Sequence, residues 1–151
     1  LNIVIGGMSG SFAVLAGAAA VDPALGPLPW ILAAVLFLWT PPHFWSLAIA
    51  NKDEYAAAGV PMLPVVVGVQ RAARVVLWST VALALTALLP IFFGAGLIYF
   101  TGALIGGGYF VHKARLLANA PSRKTAMAAF FASLVQLSLL LVAATLDSLL
   151  R

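Results

Sequence analysis

Asp53 and Glu54 stand side by side in the string NKDEY, residues 51–55, and with Asp22 and Asp147 they are all the carboxylates in the sequence. Carboxylates suit a hard divalent cation such as Mg²⁺, which is commonly held by one or two of them together with the phosphates of a substrate. Adjacent residues on a helix, however, point about 100° apart and do not readily clamp one ion together. Cations for an oxyanion are close in sequence: Lys52 beside the acids, then Arg71 and Arg74, spaced to share one helix face. A plainer reading stands next to this one. Charged residues flank membrane-crossing helices as anchors, so NKDEY also reads as a solvated helix end, and the two arginines as surface anchors.

Just upstream, LWTPPHFWSLAIA (38–50) places two prolines and a histidine inside an apolar segment. A proline within a helix removes a donor and clashes with the carbonyl four residues back, here those of Phe37 and Leu38. At membrane depth such groups are tolerated only where protein or water satisfies them. The pattern therefore predicts a polar cavity near His43, flanked by Trp39 and Trp45. His43 itself is either a hydrogen-bonded structural histidine or a ligand and catalytic group.

The elements that must position these residues follow from composition. Of the 151 residues, 64% are hydrophobic and only 8% charged, against about 25% charged in a soluble domain. So few charges cannot cover a water-facing surface, and the solvent for most of the chain is lipid. The net charge of +4 has no aromatic-interleaved basic face of the kind nucleic acid requires. Absence of cysteine excludes disulfides and thiolate metal sites. The opening LNIVIGG has neither an initiator Met nor a basic leader, so the chain is expected to begin at the edge of a span, as a fragment.

A crossing helix takes about 20 apolar residues. The sequence predicts an all-α membrane protein with five transmembrane helices, at about 3–21, 28–50, 74–93, 97–112 and 125–146. Pro90 and Gly94-Ala95-Gly96 divide the long apolar run 75–111 into a hairpin. Six of the eight basic residues fall in the loops 51–73 and 113–124, and a seventh, Arg74, stands at the edge of the third span; five spans place these seven on one side. The positive-inside rule makes that side cytoplasmic, with the N-terminus inside and the C-terminus outside. Gly6-xxx-Gly10 and Gly102-xxx-Gly106 allow close helix approach, and Gly106-Gly107-Gly108 packs tightly or lines a cavity. The proline-rich yet apolar stretch GVPMLPVVVG (59–68) is expected to fold back over the bundle as a cap.

Carboxylates for a cation, positive charges for an oxyanion and an apolar cavity below together match a lipid diphosphate. At this point a resemblance enters. WTPPHFWSLAI, KDEY, AGVPMLPVV and the upstream NIVIGG closely resemble the protoheme IX farnesyltransferases (heme O synthases) of the UbiA superfamily of intramembrane prenyltransferases. The likeness is strongest from Asn2 to about Gly68. It implies a bundle of nine helices around a central cavity, with aspartate-rich motifs after the second and sixth. This chain matches the part from the fifth helix to the ninth, and the missing N-terminal half would carry the first motif. NKDEY occupies the place of the second, although the fuller DxxxD pattern is absent because position 57 is Ala.

The resemblance further implies transfer of a farnesyl group from farnesyl diphosphate to a vinyl group of heme b, giving heme O, in a bacterial-type inner membrane with Mg²⁺ as cofactor. Asp53 would sit at the metal and diphosphate, with Glu54 in support. Lys52 and Arg71 would neutralise the diphosphate and Tyr55 would orient it. His43 would contact the heme, through its iron or a propionate, or orient another group near the diphosphate. Trp39, Phe44 and Trp45 would wall the isoprenoid or porphyrin pocket. The fragment alone would be inactive. The competing readings are a UbiA-type transferase with another aromatic acceptor, half of a transporter built on a broken helix, and an inert membrane subunit.

Overall fold

A computed structural model describes residues 2–150, and among them every regular element is helical. The long helices are α1 (Asn2–Val21), α2 (Pro27–Ala50), α5 (Val69–Leu88), α6 (Leu97–Asn119) and α7 (Arg123–Leu149), with the short α3 (Lys52–Ala57) and α4 (Leu63–Val67) between α2 and α5. Five long helices follow one another in the order of the expected spans. Among the described residues α1, α2, the stretch Val69–Phe93 and α7 are each long and apolar enough to cross a membrane. The remaining long helix, α6, dilutes its apolar residues with glycines and carries Lys113 and Arg115. It also runs to Asn119, so those two bases stand on a helical extension, with only a short turn before α7.

Prolines and glycines set the ends. α5 passes into a 3₁₀ turn, Leu89–Phe93, with Pro90 near its start, and Gly94 at φ +94° closes it. That left-handed conformation carries little cost only for glycine. α7 starts in a capping box: the Thr125 amide donates to Ser122 Oγ, and the Ser122 amide to Thr125 Oγ1. Pro41 and Pro42 do not break α2, which runs uninterrupted to Ala50. The broken helix on which the transporter reading leaned is therefore absent.

Small residues decide which helices touch. A side chain at Gly102 would run into Ala143, one at Gly106 would press on the backbone of Gln136, and one at Gly107 would meet Ala84. α6 is thus held between α5 and α7, with Gly106 and Gly107 of its three-glycine run used for tight packing while Gly108 faces open space. In α1 the glycines against α2 are Gly7, facing Thr40, and Gly10, facing Leu36, while Gly6 faces open space. The expected Gly6-Gly10 contact pair is corrected to Gly7-Gly10, since residues three apart share a helix face as readily as residues four apart. α1 leans on α2 alone.

The core that results is built of Ala72, Ala73, Val76, Leu83, Phe110, Leu117, Ala126 and Leu140. Large apolar side chains such as Trp78, Phe92 and Ile105 point outward, as a lipid-facing surface requires. At the end of the bundle away from NKDEY, Asp147 of α7 accepts hydrogen bonds from the Gly96 and Tyr99 amides, at 2.8 and 3.4 Å. It supplies from another helix the negative charge that the start of α6 attracts.

Candidate functional site

α2 and α3 meet at Asn51, whose amide still bonds back to Leu47 while its carbonyl accepts from Tyr55. This near-continuous helix carries Lys52, Asp53 and Glu54 just past the end of the apolar segment. Across from them lies the α6–α7 turn. A cavity of about 410 Å³ separates the two, lined by Asn51, Lys52, Asp53 and Glu54 on one side and Pro121, Ser122 and Arg123 on the other, with Ile49 and Val69 beneath.

The facing wall is fixed. The Gln70 side chain donates to the Ala118 carbonyl at 2.8 Å, tying the start of α5 to the end of α6. Thr125 Oγ1 donates to the Ala120 carbonyl at 2.9 Å. Both expected polar loops therefore meet at one end of the bundle, as the five-span topology required. Asp53 and Glu54 are exposed and, among the described residues, take part in no side-chain hydrogen bond or ion pair. Two carboxylates and two cations thus surround one cavity without neutralising each other by contact.

The structure sorts the sequence candidates. Lys52, Asp53 and Glu54 share the cavity; Tyr55, Arg71 and Arg74 do not line it, and both arginines are exposed. Arg71, expected at the oxyanion, is not on this cavity's wall: of the first residues of α5, Val69 lines the cavity and the Gln70 side chain reaches α6. Arg123 and Ser122 line the cavity where Arg71 does not. Sequence reading treated Arg123 only as an orientation signal, because about seventy residues separate it from Asp53 and no local pattern joins them.

Oxygen donors at the cavity are Asp53, Glu54, Asn51 and Ser122. Among the described residues no group of three or more His, Cys, Asp or Glu side chains is gathered as a metal site. Two carboxylates on an open cavity nonetheless fit Mg²⁺, which keeps several waters and shares substrate phosphates. They do not fit a metal held by protein alone.

His43 lies deeper and is buried at 8% exposure. The polar cavity expected around it is corrected. Its ring is stacked between Trp39 and Phe130, at centroid distances of 4.2 and 4.6 Å, and its Nδ1 is 2.6 Å from Ser133 Oγ. Because α2 stays helical through the prolines, this face of the helix packs against α7. The void lies to one side and is apolar: about 470 Å³ between α1 and α2, lined by Trp39, Phe44, Leu36, Gly6 and Gly10 among others. Trp45 instead meets the 59–68 stretch around a cavity of about 330 Å³, with Val60, Met62 and Leu63. That stretch does fold back, with Pro64 buried and Leu63 and Val67 packed on the core.

Similar proteins bear on this arrangement. The chain is 60% identical over 149 residues to protoheme IX farnesyltransferase 2 of Paramagnetospirillum magneticum, covering 99% of this chain and 52% of that protein. It is 46% identical over 147 residues to protoheme IX farnesyltransferase of a Roseiflexus species, covering 97% of this chain and 28% of that one. The corresponding protein of Rippkaea orientalis is 45% identical over 151 residues, covering 98% and 47%. This chain thus spans about half the length, or less, of these relatives. No solved structure matches it. Residues 1–135 match the UbiA prenyltransferase family, and the multi-pass helical chain with its acidic mouth above an apolar bundle belongs to that family.

Proposed function

We propose that this chain forms the C-terminal part of an enzyme that transfers a farnesyl group from farnesyl diphosphate to a vinyl group of heme b, giving heme O. The observation that carries the reading is the 410 Å³ cavity where Lys52, Asp53, Glu54 and Arg123 meet at one end of an apolar bundle. A lipid diphosphate is charged at one end and apolar along the rest, and this end of the molecule is built the same way. The names of the relatives supply the farnesyl group and the porphyrin.

Asp53 and Glu54 would hold Mg²⁺ together with the diphosphate oxygens, and Lys52 and Arg123 would balance the remaining negative charge. When bound, the metal withdraws charge from the leaving diphosphate. The allylic C–O bond then breaks with its electron pair leaving on the diphosphate. A vinyl carbon of the heme forms the new C–C bond to the farnesyl cation, and water adds to the resulting carbocation with loss of a proton. Trp39 and Phe44, which line the apolar cavity between α1 and α2, would keep stray water from the cation. Tyr55, one turn from the cavity, orients the mouth of the site.

A second set of acidic ligands must come from elsewhere, because the cavity has only two carboxylates. We place them on the N-terminal half found in the longer relatives, which would also cover α1 where it now leans on α2 alone. The charged mouth faces the cytoplasm of a bacterial-type inner membrane, with the start of α1 on the same side. Asp53→Ala in the full-length protein tests the reading. Heme O formation should fall by about 100-fold or more, the scale of losing a charge-stabilising group, with the folded yield unchanged because Asp53 is exposed. Near-normal heme O production would remove Asp53 from the metal–diphosphate site.

A further inference from the structure

The proposed reaction leaves open which kind of atom His43 meets. The hydrogen bonds around it answer this. Ser133 Oγ lies 2.6 Å from the Phe130 carbonyl oxygen and 2.6 Å from His43 Nδ1. A carbonyl oxygen can only accept, and two oxygens this close without a proton between them would repel. The single hydroxyl proton of Ser133 is therefore committed to Phe130. Nδ1 can then reach Oγ only as a donor, so the neutral imidazole carries its proton on Nδ1 and a lone pair on Nε2.

Three further contacts hold this arrangement. The Trp39 indole donates to the Ser133 carbonyl at 2.9 Å, binding α2 to α7 at the same residue. Trp39 and Phe130 sandwich the ring and fix its plane. Phe44 meets its edge at 5.1 Å. Among the described residues the buried side-chain nitrogen and oxygen atoms lacking a partner are both on Gln136. His43 Nε2 has no hydrogen-bond partner either, so it keeps some accessible surface. Trp39 and Phe44, its neighbours on α2, both line the apolar cavity.

We infer that Ser133 is a positioning residue that fixes the tautomer of His43, so that His43 offers the substrate an electron pair at Nε2 and donates no hydrogen bond there. A neutral Nε2 lone pair cannot hold a propionate or a diphosphate oxygen. It can bind the iron of the porphyrin or take the proton that water loses. Anchoring one ring nitrogen by its N–H while leaving the other open is also how proteins prepare imidazole as a Lewis base. The inference rests on the proposed function for the identity of the substrate, but the tautomer itself does not.

The test uses the full-length protein in lipid nanodiscs with ¹⁵N-labelled histidine, assigning His43 against His112 by the His43→Asn variant. A protonated Nδ1 and an unprotonated Nε2 in the unmodified protein are expected. An Nε2–H signal overturns the inference without need of any Ser133 variant. Ser133→Ala should release the tautomer and lower kcat by about 10- to 100-fold, the usual cost of losing such an outer partner. KM for farnesyl diphosphate should stay within about twofold, since that group binds elsewhere. Ser133→Thr, which keeps the hydroxyl, should restore both tautomer and kcat. A Ser133→Ala protein with unchanged tautomer overturns the inference, even if its activity falls.

Titration with heme b and with metal-free protoporphyrin separates the two acceptors. An absorption shift with heme alone that is lost in His43→Asn identifies iron. With no such shift, a kcat loss in His43→Asn identifies the proton. Full kcat in His43→Asn without a shift sinks the inference. Should Asp53→Ala keep full activity, the farnesyl-transfer reading falls while the tautomer measurement still decides the role of Ser133.

Discussion

The two ends of the bundle hold carboxylates that look alike in sequence and differ in every physical respect. Asp147 is 3% exposed and accepts from two backbone amides at the start of α6. Asp53 and Glu54 are exposed and line an open cavity. An acid whose lone pairs are taken up by backbone donors is part of the fold. An acid kept at the rim of a cavity, facing cations it does not touch, is available to a ligand. The difference separates charge used by the fold from charge open to a ligand better than the identity of the residue does.

Breaking the structural end should give the largest effect on stability. Asp147→Ala leaves the part-buried Gly96 amide and the buried Tyr99 amide without these acceptors, at a cost of about 2 kcal/mol. Gly96→Ala attacks the same contact from the other side, because its new Cβ would run into the Asp147 carboxylate. Thermal unfolding in detergent should show both variants melting below the unmodified protein, while Asp53→Ala melts with it. Equal melting of all three would mean that the carboxylate at the α6 start does no structural work, and the contrast between the ends would fail.

Much of this was legible in the sequence, for reasons that can be named. Absence of charge over about 20 residues signals a lipid-crossing helix. Four of the long helices that this signal marked are long and apolar enough to cross, while α6 runs on through Lys113 and Arg115. Pro90 and Gly94 marked the hairpin because their backbone restrictions are local. The site was legible only in part. Lys52, Asp53 and Glu54 are contiguous, so their meeting was guaranteed, whereas Arg123 joins them through the packing of α6 on α5 and α7. Ser133 gave no signal, since a serine in an apolar helix is ordinary until its partner is seen. The two prolines misled, because α2 remains helical through them and closes its His43 face against α7.

At the functional end the comparison sharpens into one between arginines. Arg123 lines the cavity and Arg71 does not, although both stand near NKDEY in the same ring of positive charge. Arg123→Ala should raise KM for farnesyl diphosphate by about tenfold, the lower range for a charge-assisted hydrogen bond in partly exposed surroundings. Arg123→Lys should recover part of it, since lysine keeps the charge and loses the two-pronged geometry. Steady-state kinetics with heme b saturating isolates this term. An unchanged KM would take Arg123 off the diphosphate and return it to the role of membrane anchor.

Arg71→Ala is the smallest effect and the sharpest control. Its charge is exposed and off the cavity wall, so it acts on a bound diphosphate only through solvent, where charges separated by more than about 8 Å are largely screened at physiological salt. KM should change by less than about twofold, and that change should vanish as salt is raised. The Arg123 effect should persist at the same salt, because a direct contact is screened less than a distant one. A tenfold KM increase for Arg71→Ala would show that α5 turns its first residues toward the cavity when substrate binds. Arg71 would then rejoin Lys52 as the counter-charge that its place in the sequence first implied.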